Sequence, residues 1–94
     1  MPALSLDSSH RTGSYTWLGR LNGQTQAVAP LLNGDDLSDN PPRGLLADAA
    51  GTVDVVMAND ETDTTVTVAL IAGDNPLSIK TMVETNGVTV MGGW

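Results

Sequence analysis

The side chains able to do chemistry in this 94-residue chain gather in three short runs. Asp60, Glu61 and Asp63 in "NDETD" offer enough carboxylates for a hard cation such as calcium, but they lack the ordered spacing and closing bidentate glutamate of a calcium loop. A solvated hairpin turn is the expected use. Asp35, Asp36 and Asp39 stand beside a proline connector and are read the same way, so no metal is expected at either run. Paired carboxylates also serve glycoside hydrolysis, where two acids flank the bond at fixed separation. Here every acid except Asp54 falls in a turn or linker, and the chain offers too little wall for a pocket. Ser8, Ser9 and His10 are neighbours in sequence, whereas a nucleophile and its base are defined by geometry on a rigid frame. The expectation is a non-enzymatic protein that uses no cofactor.

A different chemistry is concentrated in "SYTWLGRL". Tyr15, Trp17, Leu18 and Arg20 are residue types enriched where proteins bind one another. Two uses stay open: an arm that docks on a partner, or Trp17 plugging the open side of the chain's own sheet. Trp94 has the same two readings, sealing one end of the domain or touching a neighbouring subunit. These five residues are the candidate partner contacts.

The elements that must carry them are strands. "AGTVDVVMANDETDTTVTVALIAGDNPLSIKTM", residues 50 to 82, alternates apolar and polar positions with the period of a half-buried sheet. "GLLA" predicts a short strand. "TVDVVM" sets Val53, Val55 and Met57 on one face against Asp54 and Val56. "TTVTVAL" sets Val66, Val68 and Leu70 against Thr65, Thr67 and Ala69. "PLSIKTMV" points Leu77, Ile79 and Val83 inward, and "VTVMGGW" closes with Val88 and Val90. Turn residues separate all five, with no sustained amphipathic helix; "SDNPPRGLLADAA" is only a weak helical candidate. The predicted fold is all-β, a small antiparallel barrel or sandwich.

Residues 1–42 have no such period. "SYTWLGRL" and "QTQAVAPLL" read as extended pieces, and "NGDDLSDNPP" as a stiff connector with turn chemistry at its start. The expected division is therefore an extended N-terminal arm with its connector, residues 1–42, followed by a β-domain, residues 43–94. On that division, deleting residues 1–40 should leave the sheet folded.

Composition restricts function further. A chain of this size buries only about 60% of the surface its unfolded form exposes, and its core lacks Phe altogether. Without cysteines, and with one histidine, disulfides and the usual zinc sites are excluded. Neighbouring copies are the remaining way to stabilise so small a core. The net charge of −7 is the sum of +1 over residues 1–34 and −8 over residues 35–94. An acidic surface argues against nucleic acid, which needs a basic footprint, and against an anionic membrane. No run approaches the roughly 18 apolar residues of a spanning helix. "MPALSLDSSHR" lacks the order of a signal peptide, so synthesis in a cytoplasm is expected.

From Arg43 onward the order of features resembles the head spike base proteins, small virion proteins of tailed bacteriophages and gene transfer agents. The residues that carry the resemblance are Arg43-Gly44-Leu45, a small-residue turn to Gly51-Thr52-Val53, and the Thr-Val strand 64–69. Ala72-Gly73 leading to "PLSIKTM", Gly87 and the ending Gly93-Trp94 complete it. About half the chain is covered. The loop "ANDETDTT" is longer than the family pattern, and "PLSIKTM" has one lysine where relatives carry several basic residues. The resemblance implies a structural protein of the virion, made in the host cytoplasm. It would be a head spike base or capsid decoration protein that assembles as a homo-oligomer. Its partners would be the major capsid protein, a spike fibre protein, or both. A tail-associated structural protein and a carbohydrate-binding β-module meeting the host surface are the alternatives.

Overall fold

β-Branched residues favour a pleated, half-buried surface, and the Thr- and Val-rich run after Gly51 forms the longest strands of an all-β sandwich. The computed structural model describes residues 15–94. Nine strands run through the described residues: β1 (Leu18–Asn22), β2 (Thr25–Ala27), β3 (Asp35–Asp36), β4 (Gly44–Ala47), β5 (Gly51–Met57), β6 (Thr65–Leu70), β7 (Gly73–Asn75), β8 (Ile79–Glu84) and β9 (Val90–Gly93). They form a five-stranded sheet in the order β2-β1-β9-β4-β7 and a four-stranded sheet in the order β3-β8-β5-β6. Adjacent strands pair antiparallel in both. Each sheet is open at its edges, so of the two expected architectures the sandwich is the one formed. No helix occurs among the described residues.

The core lies between the sheets. Leu21 of β1, Leu45 and Ala47 of β4 and Val90 of β9 face Val53 and Val55 of β5, Leu70 of β6, and Ile79 and Met82 of β8. Burying each of these larger side chains is worth about 1.5–3 kcal/mol, which is how a sheet without Phe holds together. Val53, Val55 and Met57 of β5 and Val68 and Leu70 of β6 face the core as expected, whereas Val66, expected inward, is exposed and Val56, expected on the opposite face, is buried. On β8 the inward residue is Met82, fully buried, while Val83 is half-buried. The cause is local: the β5–β8 register shifts between Asp54 and Val55 and again between Val56 and Met57, and each irregularity changes which side chains face inward.

Much of the expected arm is built into this sandwich. β1 pairs with β9, and β3 pairs with β8. Leu21, Leu31 and Leu37 belong to the same core as Leu45 and Ile79. Gly23-Gln24, with Gly23 at φ 62°, turns the chain from β1 into β2 while Asn22 pairs with Thr25, a two-residue hairpin loop opened by glycine. Leu31 and Leu37 sit in connectors, held by Leu31 N–H donating to Val90 O at 2.7 Å and Leu37 N–H donating to Lys80 O at 2.8 Å. Core residues supplied by turns rather than strands carry no period of two, which is why residues 15–42 read as an arm. Residues 1–14, the remainder of the expected arm, lie outside the described residues, and with them Ser8, Ser9 and His10.

Candidate functional site

The five expected contact residues fall into separate environments. Strand alternation puts Gly92 on the core side of β9, in register with Leu45, and puts Gly93 on the opposite face, in register with Gly44 and Leu18. Trp94 packs against the core, and its ring lies over Gly92, where a Cβ would meet it at 2.8 Å. Trp17 tilts against it, with ring centroids 4.9 Å apart and 45° between planes. The Trp94 indole N–H donates to Asn40 O at 2.6 Å, and Trp94 N–H donates to Trp17 O at 2.9 Å. Both uses of Trp17 were left open by the sequence; Trp94 packs against the chain's own core and Trp17 against Trp94, and both rings are half-buried.

Tyr15 lies on the other face. Its ring covers Gly93, where a Cβ would approach it to 2.8 Å, and its hydroxyl reaches over Gly44 to donate to Asp74 Oδ1. The Arg43 guanidinium stands 5.2 Å from the Tyr15 ring centroid, a cation–π arrangement. Leu18, on the same face, packs with Leu46 and Met91. These contacts explain why β4 and β9 are buried along their whole length. Sequence reasoning did not name Asn40, Arg43 or Asp74 as contact residues, Arg43 entering only through the resemblance; the readable trace of the arrangement is glycine at 19, 44, 92 and 93 beside so few aromatics.

Arg20 belongs elsewhere again. Its Nε donates to Asp35 Oδ2 at 2.9 Å and its terminal nitrogen to Asp35 Oδ1, a two-pronged pair with an aspartate side chain only 2% exposed. Asp35 Oδ2 also accepts Leu32 N–H at 2.8 Å. Hydrogen bonding to Asp35 holds the guanidinium above its ordinary pKa against the effect of burial, and the aspartate charge adds to it. Asp35 is thus the partner that fixes the connector between β2 and β3, not a free acid of a surface cluster.

The acidic runs serve turns. Asp60 Oδ1 accepts Thr62 N–H at 2.9 Å and Thr62 Oγ1–H at 2.6 Å, and Oδ2 accepts Thr64 N–H at 3.0 Å. Asp36 Oδ1 accepts the amide and hydroxyl of Ser38 at 3.0 and 2.6 Å. Lys80 donates to Asp60 O and pairs with Asp63, tying the β5–β6 turn to β8. Among the described residues, no group of three His, Cys, Asp or Glu side chains could hold a metal ion.

Donation from Thr62 and Ser38 holds Asp60 and Asp36 below the usual carboxylate range. A carboxyl whose pKa is depressed by folding stabilises the fold above its unfolded value, and that contribution is lost as pH falls through the folded value. The melting temperature is expected to drop as pH falls below about 4. The drop should be shallower in the Asp36→Asn, Asp60→Asn double variant. Thermal melts over a pH series test this; identical slopes in the two proteins would remove these turns as the source.

Among the described residues, the large exposed apolar side chains lie in two places: Val28 and Leu32 on the connector between β2 and β3, and Val66 and Ile71 on or just beyond β6. β6 is also a sheet edge, paired only with β5 among the described residues. Its alternate N–H and C=O groups therefore point away from the sheet. No helix of the described residues is long and apolar enough to cross a membrane. No family model, curated protein or solved structure matches this chain.

Proposed function

We propose that this chain is a non-enzymatic structural component of a tailed phage virion, the head spike base or capsid decoration protein that residues 43–94 resemble. It works as one of several copies attached to the capsid, where it seats a fibre. The observation that supports the reading best is the β6 edge: an open strand with apolar Val66 exposed on it and Ile71 exposed just beyond it. Such an edge is an assembly surface, and a thin core gains from having neighbours.

Particle binding tests the reading. The full chain is expected to co-sediment with particles that lack it, and a reconstruction of the particle should show its copies at symmetric positions on the head. Removing residues 1–14 tests the docking arm within the limits of the fold: particle binding should weaken while the thermal unfolding transition is kept. Purified particles that contain no copy of the chain would overturn the assignment. A glycan array whose specific hits vanish in Trp17→Ala would replace it with carbohydrate recognition.

A further inference from the structure

We infer that β6 is a self-pairing edge: two copies of this chain join antiparallel through β6, doubling the four-stranded sheet into one continuous sheet. The inference rests on the proposal that the chain acts as one of several copies, and it names the surface by which copies meet.

The other edges carry the features that discourage pairing. β2 is three residues long and Pro30 follows it closely, β3 is two residues and both are aspartate, and β7 is three residues with Asp74 at its centre. Short length, inserted charge and nearby proline are the devices by which natural sheets protect their edges. β6 has none of them. It is six residues long, pairs with β5 without a register shift, and no charged residue or proline occurs between Asp63 and Asp74. Thr65, Val66, Thr67 and Ala69 are exposed.

The sequence of this edge suits a second copy. A twofold axis through Val68 sets Val68 opposite its symmetry mate, Val66 opposite Leu70, Thr67 opposite Ala69 and Thr65 opposite Ile71. Opposed residues share a face, as an antiparallel pair requires. The row Val66, Val68 and Leu70 continues into its own copy, while the threonines continue the outer row. Val66, 36% exposed, and Ile71, 62% exposed, each gain a β-branched or aliphatic neighbour. A charge within the run would meet its like across the axis. The nearest acids, Asp63 and Asp74, fall beyond the paired segment, where Lys80 pairs with Asp63 and the Tyr15 hydroxyl donates to Asp74. Each copy carries a net charge of −7, so salt, which screens repulsion beyond about 8 Å at physiological strength, should strengthen pairing.

Sedimentation equilibrium of the full chain across a concentration and salt series is the test. The expected result is a reversible dimer that tightens as salt is raised. Val68→Cys introduces a lone cysteine into a chain that has none; on mild oxidation it should give a disulfide-linked dimer, and Thr25→Cys on the β2 edge should not. Ala69→Glu, at an exposed position, should weaken dimerisation roughly tenfold or more while leaving the thermal transition in place. A chain that stays monomeric at every salt concentration overturns the inference and leaves a strand of another protein as the occupant of this edge. A dimer neither weakened by Ala69→Glu nor trapped by Val68→Cys overturns it as well, because the copies then meet elsewhere. Particle binding is read separately: a monomer that still decorates particles defeats only the edge, and a β6 dimer absent from every particle defeats only the virion reading.

Discussion

A fragment of residues 43–94 is expected to show no cooperative thermal unfolding and the circular dichroism of a disordered chain. The cut removes β1, β2 and β3, leaving β9 with a single partner and exposing the edge of β8. It also removes Leu21, Leu31 and Leu37, exposed by 3%, 3% and 0% in the intact domain. Truncating one such leucine to alanine costs about 2–5 kcal/mol, against a total stability of about 5–15 kcal/mol for a domain. Losing all three together with β1, β2 and β3 removes more than the remainder can spare. Leu37→Ala is the milder form of the same experiment, and its cost should match that of Leu45→Ala in β4, because both are fully buried in one core. A fragment that melts cooperatively would instead show that residues 15–42 are an appendage.

Arg20→Met is expected to lower stability by about 3–5 kcal/mol, the usual cost of breaking a buried ion pair from one side. The methionine fills much of the arginine's volume, so the loss reports mainly on Asp35, whose side chain is 2% exposed and is left with only Leu32 N–H as a donor. Urea unfolding should show a lower midpoint with an unchanged slope. Adding Asp35→Leu to Arg20→Met should restore part of the loss, since no buried carboxylate then lacks its cation. Full restoration is not expected, because the Leu32 amide forfeits its acceptor. If Arg20→Met costs less than about 1 kcal/mol, the pair behaves as an exposed one and does not hold the β2–β3 connector.

What the sequence made legible follows from how each residue is buried. β4 was anticipated at its observed bounds, and β5 and β6 to within a residue, because their side chains alternate between core and solvent or core and outer face. β3 and β7 read as turns. They are two and three residues long, carry aspartates, and exist only because β8 and β4 offer them partners. Asn75 shows the same limit: its side chain accepts Ile71 N–H and donates to Ile71 O and Gly73 O, closing a turn around a strand that propensity would not place there. Among the candidate contacts, the residue types were visible but not their partners. Arg20 was chosen as an interface residue, and its bond to Asp35 could not be read from residues 15 positions apart with no shared periodicity. The β6 edge was legible as a strand, while its place at the outside of the sheet depends on the order in which strands assemble.

That order bears on time as well as place. β5, β6 and β8 are near neighbours in sequence and make up one sheet apart from β3, whereas β9 sits between β1 and β4 at the centre of the other. Leu18 must find Gly93 before the second sheet can close. Chains dominated by such distant pairings fold slowly, on the order of milliseconds to seconds, because loop-closure entropy is lost before the contacts form. β6 pairs only with β5, its neighbour in sequence, so it is expected to form early, with its edge bare before the layer over its inner face is complete. A crowded pool of newly made copies therefore runs a race between finishing the sandwich and joining through β6 too early, and the rate at which β9 reaches the centre of its sheet decides the outcome.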